Sequence, residues 1–208
     1  MPIFTRIAYI ISGLFHPLLL PSICFAILFY SVPNIVGHIK SEAKFNLLML
    51  IFLLTFLLPI FSILLIYVLG RISSLTLESQ QERNLPYIIA SAFYAFSTYF
   101  FYTKLGSLAV VYVILGLTTI SIILVTIINF FWKISAHSVG IAGVWGFILG
   151  LHYRFPTQEL LYPLIVVSVV AGLLMTVRLY LDAHTPTQVW IGALLGLCIC
   201  LGGTVAFL

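Results

Sequence analysis

The stretch SLAVVYVILGLTTISIILVTIINFF, residues 107–131, decides the fold. It carries no charged side chain and no proline. It exceeds the roughly 20 apolar residues that a helix needs to cross a bilayer. A surface helix of a soluble domain would show a charged stripe along one face; here only scattered Ser, Thr and Asn interrupt the apolar run. Comparable runs lie at about 7–30, 45–69, 87–102, 138–151, 160–180 and 189–208. Pro17 and Pro21 predict a kink in the first run. That run is longer than a signal-peptide core and has no small-residue cleavage site, so it reads as a retained first helix. The third and fifth runs are short, so each is expected either to cross with little tilt or to extend into its polar flanks.

Composition points the same way. Of 208 residues, 62% are hydrophobic and 7% are charged, against about 25% charged in a soluble domain. Nine basic and five acidic side chains cannot furnish the surface of a soluble fold of this size. The expected fold is all-α, a polytopic transmembrane helix bundle of six to seven spans. It forms one domain over 1–208, with a core at 70–208 and two additional N-terminal spans in 1–69. The net charge of +4 is scattered between the apolar runs, a pattern of interfacial anchors and not of a nucleic-acid surface. Cys24, Cys198 and Cys200 lie within apolar runs and read as small buried hydrophobes; their spacing does not suit a zinc site.

Seven spans put the N-terminus and the loops 70–86, 132–137 and 178–188 on one face. Loops 31–44, 103–106, 152–159 and the C-terminus fall on the other. If Arg83 and Arg178 are functional, the bias of the remaining basic residues places the second face in the cytoplasm. The expected setting is a multi-pass protein of a bacterial inner membrane, with its active face periplasmic.

Ionisable groups at membrane depth are costly and mark functional sites. In this chain they cluster on the first face: Glu78, Glu82 and Arg83; Ser135, His137 and Ser138; Arg178, Asp182, His184 and Gln188. Arg178 and Asp182 are four apart and are expected to pair on one helix face. His16, before Pro17, reads as a structural hydrogen-bonding residue, with lining of a substrate groove as the alternative, and His38 and His152 read as loop residues. Two arginines, two histidines and hydroxyls converging at one interface suit an anion. Arginine matches phosphate bidentately, a helix start offers backbone donors, and histidine serves as nucleophile or acid near neutral pH. The pattern predicts phosphate-ester chemistry at a membrane surface.

Three motifs sharpen this prediction. Arg178, five residues, His184, three residues, Gln188 is one; Ile134-Ser135-Ala136-His137 is a second; Arg83 with Pro86 three residues later is a partial third. The chain over 70–208 thereby resembles the type 2 phosphatidic acid phosphatase superfamily, the integral membrane histidine phosphatases. The resemblance implies that His184 attacks phosphorus, that His137 protonates the leaving alkoxide, and that Arg83, Arg178, Ser135 and Ser138 hold the phosphoryl oxygens. It implies no metal and no cofactor. Three positions depart from the family pattern. Thr76 stands where a lysine is expected, with Arg71 or Lys133 as replacements. Ala136 stands for glycine. Gln188 stands for the aspartate that orients the nucleophile, with Asp182 or Glu82 as supporting carboxylates.

The expected partners are the lipid bilayer and a phospholipid or polyprenyl phosphate substrate, with no nucleic acid. Two other readings stay open. One is a catalytically degenerate lipid-phosphate binder or transporter on the same scaffold. The other is a metal-dependent membrane enzyme with Glu78, Glu82, His137, Asp182 and His184 as candidate ligands.

Overall fold

An apolar run in a bilayer has no water to satisfy its amides, so it closes its own hydrogen bonds as a helix. A computed structural model describes residues 2–36, 39–77, 79–106 and 108–208; Glu78 and His38 lie outside the described residues. These form eight helices and no strand: α1 (Ile3–Leu14), α2 (Leu20–Ser31), α3 (Ser41–Val68), α4 (Gln80–Lys104), α5 (Ala109–Phe131), α6 (Ala136–Arg154), α7 (Gln158–Tyr180) and α8 (Pro186–Phe207). The all-helical expectation holds. Four helices, α3, α5, α7 and α8, are long and apolar enough to cross a membrane, fewer than the six to seven expected. α4 opens on a polar turn and α6 is a short, glycine-rich core helix. The outer surface is apolar: Val68, Phe131, Tyr162 and Val169 are among many exposed large hydrophobic side chains, as a helix surface facing lipid requires.

The first run is two helices, where one kinked helix was expected. Pro17 has no amide to continue the ladder, and residues 15–19 turn instead, with His16 N–H on Gly13 O at 3.2 Å and Leu19 N–H on His16 O at 2.8 Å. Pro59 perturbs α3 differently: the turn before it widens to a π-helix at Leu53–Leu57, the usual local accommodation of a proline in a helix. Of the two alternatives for the short third and fifth runs, extension into the flanks is what occurs, as α4 and α6. His152 lies in the last turn of α6 rather than in a loop.

α6 packs against α8 through small residues, which let backbones approach where both faces are apolar. A Cβ on Gly196 would stand 2.0 Å from the Val139 carbonyl oxygen, and one on Gly192 would stand 2.9 Å from that of Ser135. This packing fixes the start of α6 against the start of α8, where Ser135 N–H reaches Gln188 O at 3.4 Å. Of the cysteines, Cys24 and Cys200 are buried as expected, whereas Cys198 is exposed on the outer face of α8. Gly196→Ala is expected to cost about 3 kcal/mol, the upper end of the usual overpacking cost, because backbone rather than a flexible side chain must move. Gly202→Ala, with open space around it, is the neutral control; thermal unfolding in detergent compares the two.

Candidate active site

Three helices begin at the same end of the molecule, each with an N-cap. Ser79 Oγ accepts from Glu82 N–H in α4, and Ser135 Oγ accepts from Ser138 N–H in α6. In α8, Thr185 Oγ1 accepts from Gln188 N–H while the Gln188 side chain accepts from Thr185 N–H, a complete capping box. These starts turn their positive dipole ends toward one region. The C-terminal turn of α7 and the break between α1 and α2 close the region from the other side.

His184, in the turn before α8, is 7% exposed, as is Arg83 in the first turn of α4. Arg83 Nη1 donates to His184 Nε2 at 3.3 Å, and Arg83 Nε donates to Leu77 O at 2.7 Å. Tyr87 follows one turn along α4, near the Arg83 charge. On the other ring nitrogen, His184 Nδ1 meets Gln188 Oε1 at 3.0 Å. That oxygen also accepts Thr185 N–H at 3.2 Å, and a backbone amide only donates, so Oε1 is the acceptor and Nδ1 carries the proton. His184 is thereby held as the tautomer with its lone pair on Nε2, facing Arg83. Gln188 thus meets His184 across the four-residue spacing noted in the sequence.

Arg178, in the last turn of α7, donates from Nη1 to Ser12 Oγ at 3.1 Å, and its buried Nε has no hydrogen-bond partner. His137 donates from Nε2 to the carbonyl of the same Ser12 at 3.2 Å. The His137 ring stands edge-on to His16, centroids 6.0 Å apart. Ser12 therefore ties the second arginine to the second histidine. Nothing in the sequence marks it; a lone serine in an apolar run acquires this place only through tertiary packing.

The expected carboxylates are elsewhere. Asp182 does not pair with Arg178, because α7 ends at Tyr180 and Asp182 follows in a left-handed conformation (φ 49°). Helical i,i+4 spacing no longer applies there, and Asp182 is exposed. Glu82 turns away to the loop before α4, where its carboxylate accepts from Ser73 N–H at 2.8 Å and from the Ser73 hydroxyl. The Ser135 and Ser138 side chains are fully buried and bond each other at 2.9 Å as the α6 cap, so they are not presented to a ligand. No three of His, Cys, Asp and Glu gather as a metal ligand set among the described residues.

Burial is the main force on the His184 ring. With the Arg83 charge next, it holds the pKa down at about 3; the Gln188 hydrogen bond opposes this, and Arg178 and Lys133 add to the depression. The imidazole is neutral at physiological pH, under the charges of Arg83, Arg178 and Lys133. In the unfolded chain the ring titrates near 6.5, so between 6.5 and 3 the unfolded state binds more protons than the native state. The stability that neutral His184 contributes is fully present above pH 6.5 and is lost as pH falls toward 3. Melting temperature in detergent is expected to fall from pH 7 to pH 4 more steeply for the wild type than for His184→Gln. Equal slopes would show that the folded ring takes up its proton where the unfolded ring does, and so is not held neutral by its surroundings.

Between α2, α6 and α8, below the His16–Pro17 break, lies an apolar cavity of about 40 Å³ lined by Pro17, Leu20, Cys24, Gly140, Val144 and Cys200. It holds a few water-sized groups, far less than a lipid chain. Comparison of the chain with protein-family models, with curated proteins and with solved structures finds no match.

Proposed function

We propose that the protein is a membrane lipid phosphatase that hydrolyses a lipid phosphomonoester or diphosphate through a phosphohistidine on His184. The observation that carries this reading is the state of His184: the proton on Nδ1, and the lone pair on Nε2 facing Arg83, with the charges of Arg178 and Lys133 also acting on the ring. Among the described residues neither arginine meets a carboxylate. A phosphoryl group arriving at Nε2 would supply the missing anion, displacing Arg83 from the lone pair and bridging the guanidiniums. Electrostatic stabilisation of this kind is the main protein contribution to phosphoryl transfer. Lys133 takes the role of the lysine that Thr76 does not supply, and the start of α6 adds backbone donors. His137 protonates the leaving alkoxide. The 40 Å³ cavity is too small for an acyl or prenyl chain, so the tail lies along the outer surface, in the bilayer.

In this reading α1–α2, α4 and α6 join the four long apolar helices to make a seven-span protein of a bacterial inner membrane. The site lies on the periplasmic face, opposite Lys40, Lys44, Lys104 and Arg154.

The test is phosphate release by purified protein in detergent from phosphatidic acid, phosphatidylglycerol phosphate, a polyprenyl diphosphate and a lipid A phosphate, each with EDTA. Release that persists in EDTA is expected, because the chemistry runs on histidine and arginine. Release that EDTA removes would favour the metal-dependent reading. One observation favours a different function: the group on Nδ1 of His184 is the neutral amide of Gln188, which orients the ring without supplying charge. A lipid-phosphate binder on this scaffold would bind members of the panel and release no phosphate.

A further inference from the structure

The N-terminal helix pair brings to the site a histidine that lies outside the three phosphatase motifs. His16 sits in the break between α1 and α2, and its Nδ1 accepts the Leu18 N–H at 3.3 Å. A backbone amide only donates, so neutral His16 carries its proton on Nε2. His137 is set the opposite way: its Nε2 faces the Ser12 carbonyl at 3.2 Å, and a carbonyl only accepts. Its proton is on Nε2 and its lone pair on Nδ1. One imidazole thus offers a free N–H and its neighbour a free lone pair. The two rings are T-shaped, with centroids 6.0 Å apart and planes at 77°, and no direct hydrogen bond joins them among the described residues. A single oxygen with hydrogen bonds of about 2.8 Å to each ring can span such a gap. On its other side His16 meets the Phe56 ring at 6.3 Å, which offers no competing polar partner.

We propose that His16 positions the water that hydrolyses the phosphohistidine; the inference rests on the phosphatase reading of this site. In that step the water oxygen accepts from His16 Nε2–H, and one water proton passes to the lone pair on His137 Nδ1. The oxygen bonds to phosphorus as the bond from phosphorus to His184 Nε2 breaks. Its electron pair returns to His184, which remains neutral through its Nδ1 proton. His137 leaves the step as imidazolium, the acid required by the leaving alkoxide of the next turnover. His16 keeps its proton throughout, so it is a positioning residue and the base is His137. Its partnership with water, which a lipid alkoxide cannot replace once the tail has departed, directs the phosphoryl group to hydrolysis.

The test compares wild type, His16→Asn and His16→Gln, using the ³²P-labelled lipid of the panel that the wild type hydrolyses fastest. Two quantities are read: steady-state phosphate release and the fraction of protein trapped as base-stable phosphohistidine. His16→Asn, whose amide falls short of the Nε2 position, is expected to slow release about 10²-fold, the lower range for groups that assist proton transfer, while the phosphohistidine fraction rises several-fold. His16→Gln, whose amide reaches that position, restores most of the rate. If His16→Asn does not fold, His16→Phe replaces it, keeping a ring against Phe56 without either nitrogen. Slower release with no rise in phosphohistidine, or release equal to wild type, would overturn the role of His16 and leave the phosphatase reading standing. A wild type that forms no phosphohistidine and releases no phosphate would overturn the phosphatase reading itself, and this inference with it.

Discussion

His184→Ala is expected to bring phosphate release to background and to abolish the phosphohistidine, a loss of at least about 10⁴-fold, the scale on which removal of a covalent nucleophile acts. The fold is expected to survive. Arg83 keeps Leu77 O as a partner, and Gln188 keeps the Thr185 N–H, so the capping box of α8 persists. The alternative role for His184, a polar post that holds Arg83 in place, makes a different prediction. Removing a post would weaken substrate binding and raise KM, yet leave a phosphorylated protein detectable at saturating lipid. Phosphate release, phosphohistidine content and thermal unfolding, measured on the same preparation, separate the two. A variant that folds and retains more than a tenth of the wild-type kcat removes His184 from the role of nucleophile.

The helices were legible in the sequence wherever apolar length alone decides, as in 107–131, because backbone satisfaction in lipid leaves one solution. The first run was harder. Pro17 and Pro21 announce a disturbance, but whether a proline kinks a helix or breaks it depends on what the freed groups find nearby. Here the His16 ring itself takes the Leu18 amide, and the chain turns. The contact of His184 with Gln188 was legible from spacing, since the two are separated by one turn of a capped helix start and their contact is local. Pairing of Arg178 with Asp182 failed because spacing rules assume that the helix continues, and α7 ends two residues before the aspartate. Ser135 and Ser138 share a residue type with phosphate ligands and with helix caps, and the cap claimed both. Ser12 was invisible, because its contacts to Arg178 and His137 cross 166 and 125 positions of sequence. Only the folded approach of α1 to the ends of α6 and α7 creates them.

Gln188→Glu is expected to raise turnover by about 10²–10³-fold, the scale on which one preorganised contact to developing charge acts, since Gln188 already holds the productive tautomer and lacks only the charge. Glutamate is the substitution of choice because it keeps the length of the glutamine, whose Oε1 stands 3.0 Å from His184 Nδ1 and 3.2 Å from Thr185 N; aspartate is one methylene shorter. Both contacts are donated to the oxygen, so a carboxylate accepts them unchanged and adds a negative charge where the ring becomes cationic on phosphorylation. The same charge offsets Arg83 and Arg178, which raises the His184 pKa from about 3 toward its ordinary value. Below the raised pKa the ring is protonated and cannot attack, so the acid limb of the kcat/KM profile moves to higher pH as kcat increases. A binding protein responds in the opposite sense. There the new carboxylate only repels the phosphate, and affinity for the lipid falls with no turnover at any pH. A gain in kcat with a shifted acid limb therefore identifies a phosphatase limited by a neutral residue, whereas weaker binding alone identifies a scaffold that holds phosphorylated lipids without cleaving them.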